Sequence, residues 1–418
     1  MLEKLKNIAL KPQTLFIVYM LAAIVAALQF YFQGTHAYYP PAPGTLPPDI
    51  MNKPELYNQF AGKQLTEYNN YLIFKWSYFH LLDGKNLYGL YPDCHWDFYK
   101  YSPTFSFLMA PMAYLPDAVG LSIWNIINAL SLFFAIRTLP ITEKKQIYLT
   151  WFVALELLTS LQNHQSNGLM AALLIGAYGC LNKGKTGWAA LWLVLSVYIK
   201  VYGAIGFCMF LFFPKQRVKF VLYSALWFVV LGALPLFVTP LKTLLWQYQN
   251  WGILLKADAS EATGLSVAGW LSTWFGLNDV KAAVSIAGIL LFLAQFINFK
   301  NFTNKSYQML LLASMLLWVV IFNHKAESPT FVIAIAGGAV WYYSSPKATW
   351  RTALIVFAFI VTCLGTTDVF PPIVRHTFYY PYKIKVLPCI ILWAVVFWET
   401  ISLKRGANAD EIGHEALV

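Results

Sequence analysis

The sequence predicts an all-α protein, a polytopic bundle of transmembrane helices with about 11 to 13 membrane segments, some of them short or re-entrant. Three observations predict it. Of 418 residues, 58% are hydrophobic and only 12% are charged, against about 25% charged in soluble domains. The mean hydropathy of +0.54 is too high for a surface that water must wet. The apolar residues also fall into many runs separated by polar turns. A soluble enzyme, a disordered chain and a coiled coil are excluded. The formal net charge of +11, from 30 Lys+Arg against 19 Asp+Glu, fits basic residues retained in cytoplasmic turns. No basic stripe interleaved with aromatics is present, so nucleic acid is not an expected partner. Cys94, Cys180, Cys208, Cys363 and Cys389 form no CxxC pair, so neither a disulfide framework nor a zinc site is expected.

The leader, residues 1–13, carries Lys4, Lys6 and Lys11. It precedes an apolar run at 14–32 that is too long for a cleavable signal, which places the N-terminus inside the cell. A large outer loop, 33–101, follows. It opens with a Pro-rich stretch at 39–48 that should be extended. It continues into an amphipathic segment at 68–82, where Tyr71, Phe74, Tyr78 and Leu82 share one helical face and predict a helix lying on the membrane surface. This loop holds six acids against five lysines, without the basic excess of a cytoplasmic loop.

Later apolar runs cover 103–115, 119–136, 147–161, 168–181, 188–213, 220–238, 280–299, 309–322, 331–343, 353–364 and 386–401. The run at 188–213 is interrupted by Lys200 and reads as one tilted helix or two half-helices. Basic turns at 215–219, 300–305, 347–351 and 404–405 alternate onto the inside. They place a second outer loop at 239–279 outside, and leave 402–418 as a cytoplasmic tail. Lys144-Lys145 and Lys183/Lys185 also belong inside, which requires one segment between Pro103 and Phe213 to be re-entrant. No internal repeat occurs, and the chain reads as a single membrane domain, 1–418.

An ionisable group inside a span costs roughly 2.5–3.5 kcal/mol on insertion scales, so each marks a candidate site. Lys200 lies far from the basic turn at Lys215 and reads as an anion ligand rather than a snorkelling lysine. Glu156 reads as a member of an ion pair, structural or functional, and Glu399 as interfacial. Leu161 to Gly168 holds a knot of amides around His164, suited to capping a helix or to binding sugar or phosphate. Asn323 to Pro329 is a second knot, with His324, Lys325 and Glu327 in four residues; His324 and Lys325 suit a phosphate, and Ser328-Pro329 should start the next helix. Asp93 to Pro103 combines two carboxylates, His95, Lys100 and aromatics at a span mouth. Aromatics beside acids suit a sugar; His95 and Asp97 lack further ligands, so no metal is expected.

Tyr101-Ser102-Pro103-Thr104-Phe105, with Ala110-Pro111 and Leu115-Pro116 after it, resembles the start of the second span in glycosyltransferase family 87. These are polyprenol-phosphate-mannose-dependent enzymes of the C-type membrane glycosyltransferase superfamily. Asp83-Gly84-Lys85-Asn86-Leu87-Tyr88 resembles the family's glycine-to-tyrosine stretch. Gln165-Ser166-Asn167 resembles its glutamine-x-asparagine motif, with His164 where a glycine is usual. Lys200 matches its intramembrane lysine without the usual following proline, and Leu265 to Gly269 resembles its serine-leucine-x-glycine stretch. An acid is usual about fourteen residues before the glycine; here that position is Asn70, which cannot act as a base.

The resemblance implies a C-type fold and inverting transfer of a hexose, mannose in the family, from a polyprenyl-phosphate-sugar donor to a glycan or glycolipid acceptor on the outer face of the cytoplasmic membrane. No cofactor is expected. The catalytic candidates are Asp97 as base, with Glu67 as its alternative. The substrate-binding candidates are Lys200, His324 and Lys325 for the phosphate, Gln165, Asn167 and His164 for sugar or phosphate, and Lys100, Tyr101 and Asn70. Arg375 and His376 are weaker phosphate candidates. A flippase or transporter, or a non-catalytic scaffold for lipid-linked sugars, would share the spans but not need the acids; a transporter would add repeated halves.

Overall fold

The computed structural model describes residues 7–37, 64–257 and 263–404; the Pro-rich stretch and most of the expected leader and tail lie outside them. Among the described residues the chain is helical apart from a small antiparallel ribbon. There β1 (Thr35–Ala37) pairs with β2 (Gln64–Thr66), Thr35 opposite Thr66.

The helix α1 (Pro12–Gln33) carries no charged residue and has proline at its first position, where the missing N–H is no loss. Its 22 residues span about 33 Å, enough for a hydrocarbon core of about 30 Å. Next, α2 (Asn69–Leu82) leads through a loop to the short helices α3 (Pro103–Leu108) and α4 (Ala110–Ala113) and to α5 (Asp117–Ile136). Against the expectation of a helix with one whole face free, α2 is enclosed by protein over most of its circumference. Tyr71, Leu72, Phe74, Ser77 and His80 are buried, while Lys75, Trp76 and Phe79 are half-buried and Leu82 is exposed. The cause is local: Lys75 pairs with Asp117 at 2.6 Å and donates to the Leu115 carbonyl, while Tyr71 Oη donates to Met112 O. These bonds wrap α3, α4 and the start of α5 around it. Gly120 of α5 permits the approach, since a Cβ there would lie 2.0 Å from Tyr71 Oη.

Then come α6 (Glu143–Gln162), α7 (Asn167–Asn182) and α8 (Thr186–Ile199), followed by a 3₁₀ helix, Val201–Phe212. Lys200 between the last two is extended (φ −142°, ψ 119°), so the interrupted run is two half-helices. The next helices are α9 (Arg217–Ala233), α10 (Leu241–Ala257), α11 (Val267–Phe275), α12 (Lys281–Ala294), α13 (Lys305–Ile321), α14 (Phe331–Ser344), α15 (Thr349–Ala358) and α16 (Leu387–Ser402). As expected, a 3₁₀ turn at Ser328–Thr330 starts α14.

Among the described residues, five helical stretches are long and apolar enough to cross a membrane: Pro12–Gln33, Asp117–Ile136, Pro214–Phe237, Lys281–Asn301 and Ile384–Ser402. Shorter apolar helices, including α7, α8 and α13, fill the interior. Helices α7, α13 and α14 are buried nearly all round, as befits the centre of a bundle. Gly337 lets α14 close on α13, because a Cβ would meet Ala313 O at 2.8 Å. By contrast α9 and α12 expose Val221, Leu222, Val229, Ile286 and Leu290, a surface for lipid.

The helix ends sort into two faces. At one, Trp151 donates to Ala9 O near the start of α1, Gln216 binds Thr186 and the Leu181 carbonyl, Lys305 donates to Asn182, and Arg351 pairs with Glu399 at 2.8 Å. This face holds the Lys144-Lys145, Lys183/Lys185, Lys215 to Lys219 and Lys347/Arg351 turns. The apparent conflict in the middle of the chain thus disappears. The α8 and 3₁₀ arms each run once between the two faces, while α3 and α4 stay near the opposite face, where Ser102 donates to Tyr198 O and Thr104 to Leu231 O.

Candidate active site

On that opposite face the ends of several elements stop at one level around a cavity of about 830 Å³. Its walls come from the end of α1 (Phe30), the start of α2, the loop Trp96 to Tyr101, the α6–α7 turn, the break at Lys200 and the turn Asn323 to Glu327. Segments as distant in sequence as Glu67 and Glu327 therefore face one volume.

The break at Lys200 places the cation. The Lys200 N–H still closes the last turn of α8 on Ser196 O at 2.8 Å, but its extended backbone swings the side chain towards α7. There Nζ donates to Asn167 Oδ1 at 2.8 Å and lies 5.9 Å from the ring centres of both Tyr101 and Tyr202. Ring faces stabilise a desolvated ammonium without neutralising it. The Tyr202 hydroxyl lines the cavity with no hydrogen-bond partner among the described residues.

The α6–α7 turn explains a departure noted in the sequence. His164 has φ +54°, a left-handed conformation that ends helices and favours glycine. Its carbonyl accepts from Trp124 Nε1 at 2.8 Å, and its buried ring stands edge-on to Phe30 at 5.4 Å. His164 is not among the residues that line the cavity; its conformation shapes the turn. Its neighbours do the contacting. Gln165 lines the cavity and donates to Glu327 Oε2 at 2.8 Å, and Asn167 donates to Gln165 Oε1 at 2.7 Å. Asn70 lines it too, donating to Asn163 O at 2.9 Å. A carboxylate could not make that bond, which gives the amide at this position a purpose.

Three carboxylates line the cavity: Glu67, Asp97 and Glu327. Asp97 Oδ1 accepts from the Phe98 N–H at 2.7 Å, and its Oδ2 lies 3.7 Å from Lys100 Nζ. Lys100, Tyr101, His324 and Lys325 also line the space. Beside it, burial pushes the imidazoles of His80 and His95 down to about 4, with the Asp97 charge opposing the shift at His95. Both rings are neutral at pH 7. Among the described residues no group of three or more His, Cys, Asp or Glu is placed to hold a metal.

Arg375 pairs with Asp368 at 2.7 Å and His376 packs on Tyr380; neither lines the cavity. Glu156 and Lys385 form a buried pair at 2.8 Å outside it. Sequence reasoning did not assign a role to Glu327, Asn69, Trp96 or Tyr202, all of which line the cavity. Only Glu327 carried a usable signal, as the acid of its polar knot.

The fold and this cavity define a polytopic membrane protein with carboxylates and cations gathered at the ends of its helices. Residues 98–367 match the model of glycosyltransferase family 87, and the chain belongs to that family. It is a membrane glycosyltransferase, acting on a sugar donor and an acceptor in a membrane lipid environment. A comparison with curated proteins found no match.

Proposed function

We propose that the chain transfers a hexose, mannose on the family resemblance, from a polyprenyl-phosphate-sugar donor to a glycan or glycolipid acceptor, with inversion. The observation that supports this reading is one cavity lined by Glu67, Asp97, Glu327, Lys200, Lys325 and His324. Acids and cations together match a reaction that removes a proton at one end and develops an anion at the other. The basic face is cytoplasmic by the positive-inside rule, so the cavity opens to the outer side of the cytoplasmic membrane and both termini lie inside.

In this reading Asp97 accepts the proton of the acceptor hydroxyl. The hydroxyl oxygen bonds to the anomeric carbon as the bond from that carbon to the phosphate oxygen breaks, and the polyprenyl phosphate departs with the electron pair. Lys200, Lys325 and His324 stabilise the negative charge that develops on it. Gln165, Asn167, Asn70, Lys100 and Tyr101 orient sugar and phosphate. Glu67 is the alternative base.

The test is Asp97→Asn in purified protein, assayed for sugar transfer. Loss of a general base should lower turnover about 10²- to 10⁴-fold. Unchanged turnover removes Asp97 from the mechanism, and Glu67→Gln then decides the alternative. Retained lipid binding without transfer in the double variant separates an enzyme from a scaffold.

A further inference from the structure

One cation of the cavity, Lys200, is joined to one of its carboxylates through two amides. Lys200 Nζ donates to Asn167 Oδ1, Asn167 Nδ2 donates to Gln165 Oε1, and Gln165 Nε2 donates to Glu327 Oε2, at 2.8, 2.7 and 2.8 Å. The direction is not arbitrary. An ammonium only donates and an ionised carboxylate only accepts. With those two ends, each amide has one orientation that avoids setting donor against donor or acceptor against acceptor. Both terminal bonds are charge-assisted, the stronger kind, and serial bonds of one direction polarise each other.

We propose that Glu327 is a positioning residue: through Gln165 and Asn167 it fixes the Lys200 ammonium where the phosphate of the donor must bind. This rests on the proposed donor class. The competing explanation is local. Glu327 also caps the turn before α14, its carboxylate accepting from the Thr330 N–H while its own N–H donates to Thr330 Oγ1 at 3.4 Å. A cap alone costs stability when removed but has no reason to couple to a lysine held by a different helix. The relay requires that coupling.

The experiment is a double-mutant cycle on the full-length protein in lipid nanodiscs. Binding of a polyprenyl phosphate is followed by native mass spectrometry, with sugar transfer measured in parallel. Lys200→Met and Glu327→Ala should each weaken polyprenyl phosphate binding about tenfold or more. The double variant should be no weaker than the worse single one, because the two residues act through one contact. Gln165→Ala interrupts the relay while leaving the cap intact, and should reproduce the loss even if Glu327→Ala fails to fold. Glu327→Gln, which can still accept from Gln165, should recover most of the binding. Additive effects of Lys200→Met with either Glu327→Ala or Gln165→Ala overturn the inference. So does a Glu327→Gln protein that binds normally but no longer transfers sugar, since Glu327 would then touch the reacting atoms itself. If the wild type neither binds polyprenyl phosphate nor transfers sugar from it, the donor reading fails and this inference with it. If the wild type binds and the effects add, only this inference fails.

Discussion

Two lysine–glutamate associations in the protein, one enclosed and one at an open cavity, are built oppositely. Lys385 and Glu156 touch directly. Lys385 Nζ donates to both carboxylate oxygens, at 2.8 and 3.1 Å, and to Ser328 Oγ at 2.9 Å, and it lies 5.3 Å from the Phe331 ring centre. Both side chains are fully enclosed. Lys200 and Glu327 are held apart by two amides, and both border an open cavity. A cation whose donors are already satisfied by a carboxylate has little to offer a ligand. A cation held by one neutral oxygen keeps most of its charge for an anion that arrives later. The closed pair therefore fastens α6, the segment before α16 and the start of α14 together, whereas the open one serves the site.

The largest expected effect tests the closed pair. Lys385→Met leaves Glu156 buried without a counter-charge, which costs about 3–5 kcal/mol, a large part of a typical total of about 5–15 kcal/mol. Folded yield and melting temperature should collapse, and replacing Glu156 by leucine in the same chain should restore them. If Lys385→Met melts like the wild type, the contrast between the two pairs is gone. Next in size is Lys200→Met, which should reduce sugar transfer about 100-fold, or ~2.7 kcal/mol of transition-state stabilisation. Its melting temperature should stay close to that of the wild type, because what it loses is a charge facing the cavity.

The smallest effect concerns pH at the rim of the site. His80 packs at a tilt on Tyr91 with ring centres 3.8 Å apart and lies 6.0 Å from His95; beyond burial, His95, Lys85 and Asp83 act on the first ring and Asp97 on the second. Both imidazoles titrate near 4 in the folded protein against 6.5 for the free group. Between those values the unfolded chain binds more protons, so stability falls as pH falls through this window and is fully present above it. Melting curves from pH 7 to pH 4 should show the decline, and His80→Gln should make it shallower. A pH-independent melting temperature would mean that these rings do not stay buried.

How much of this was legible in the sequence differs between the two pairs. Lys200 announced itself because a charge in an apolar run has few explanations, but the same reasoning left one tilted helix and two half-helices equally open there. Gln165, Asn167 and the acids near Asp97 were found as dense polar clusters between spans, and most line the cavity. Lys385 and Glu156 were not joined, because 229 positions separate them and nothing local to either names the other. His164 shows a different limit. Among amides a histidine looks like a ligand, and its positive φ and its place outside the cavity lining show only in the structure. The burial of α2 was missed because its periodic aromatic face is the same pattern that a surface helix would show.

The winding of the second half of the hairpin around Lys200 also sets a distance. The outgoing arm, α8, has 14 residues and the returning 3₁₀ arm has 12. At about 1.5 Å per residue the first reaches ~21 Å, and at about 2.0 Å per residue the second reaches ~24 Å. Wound as an α-helix, the same 12 residues would cover only ~18 Å, less than the ~21 Å of the outgoing arm. The looser rise per residue acts as a spacer, trading hydrogen-bond geometry for length so that the lysine stays at the level of the cavity while the chain after it still reaches its turn.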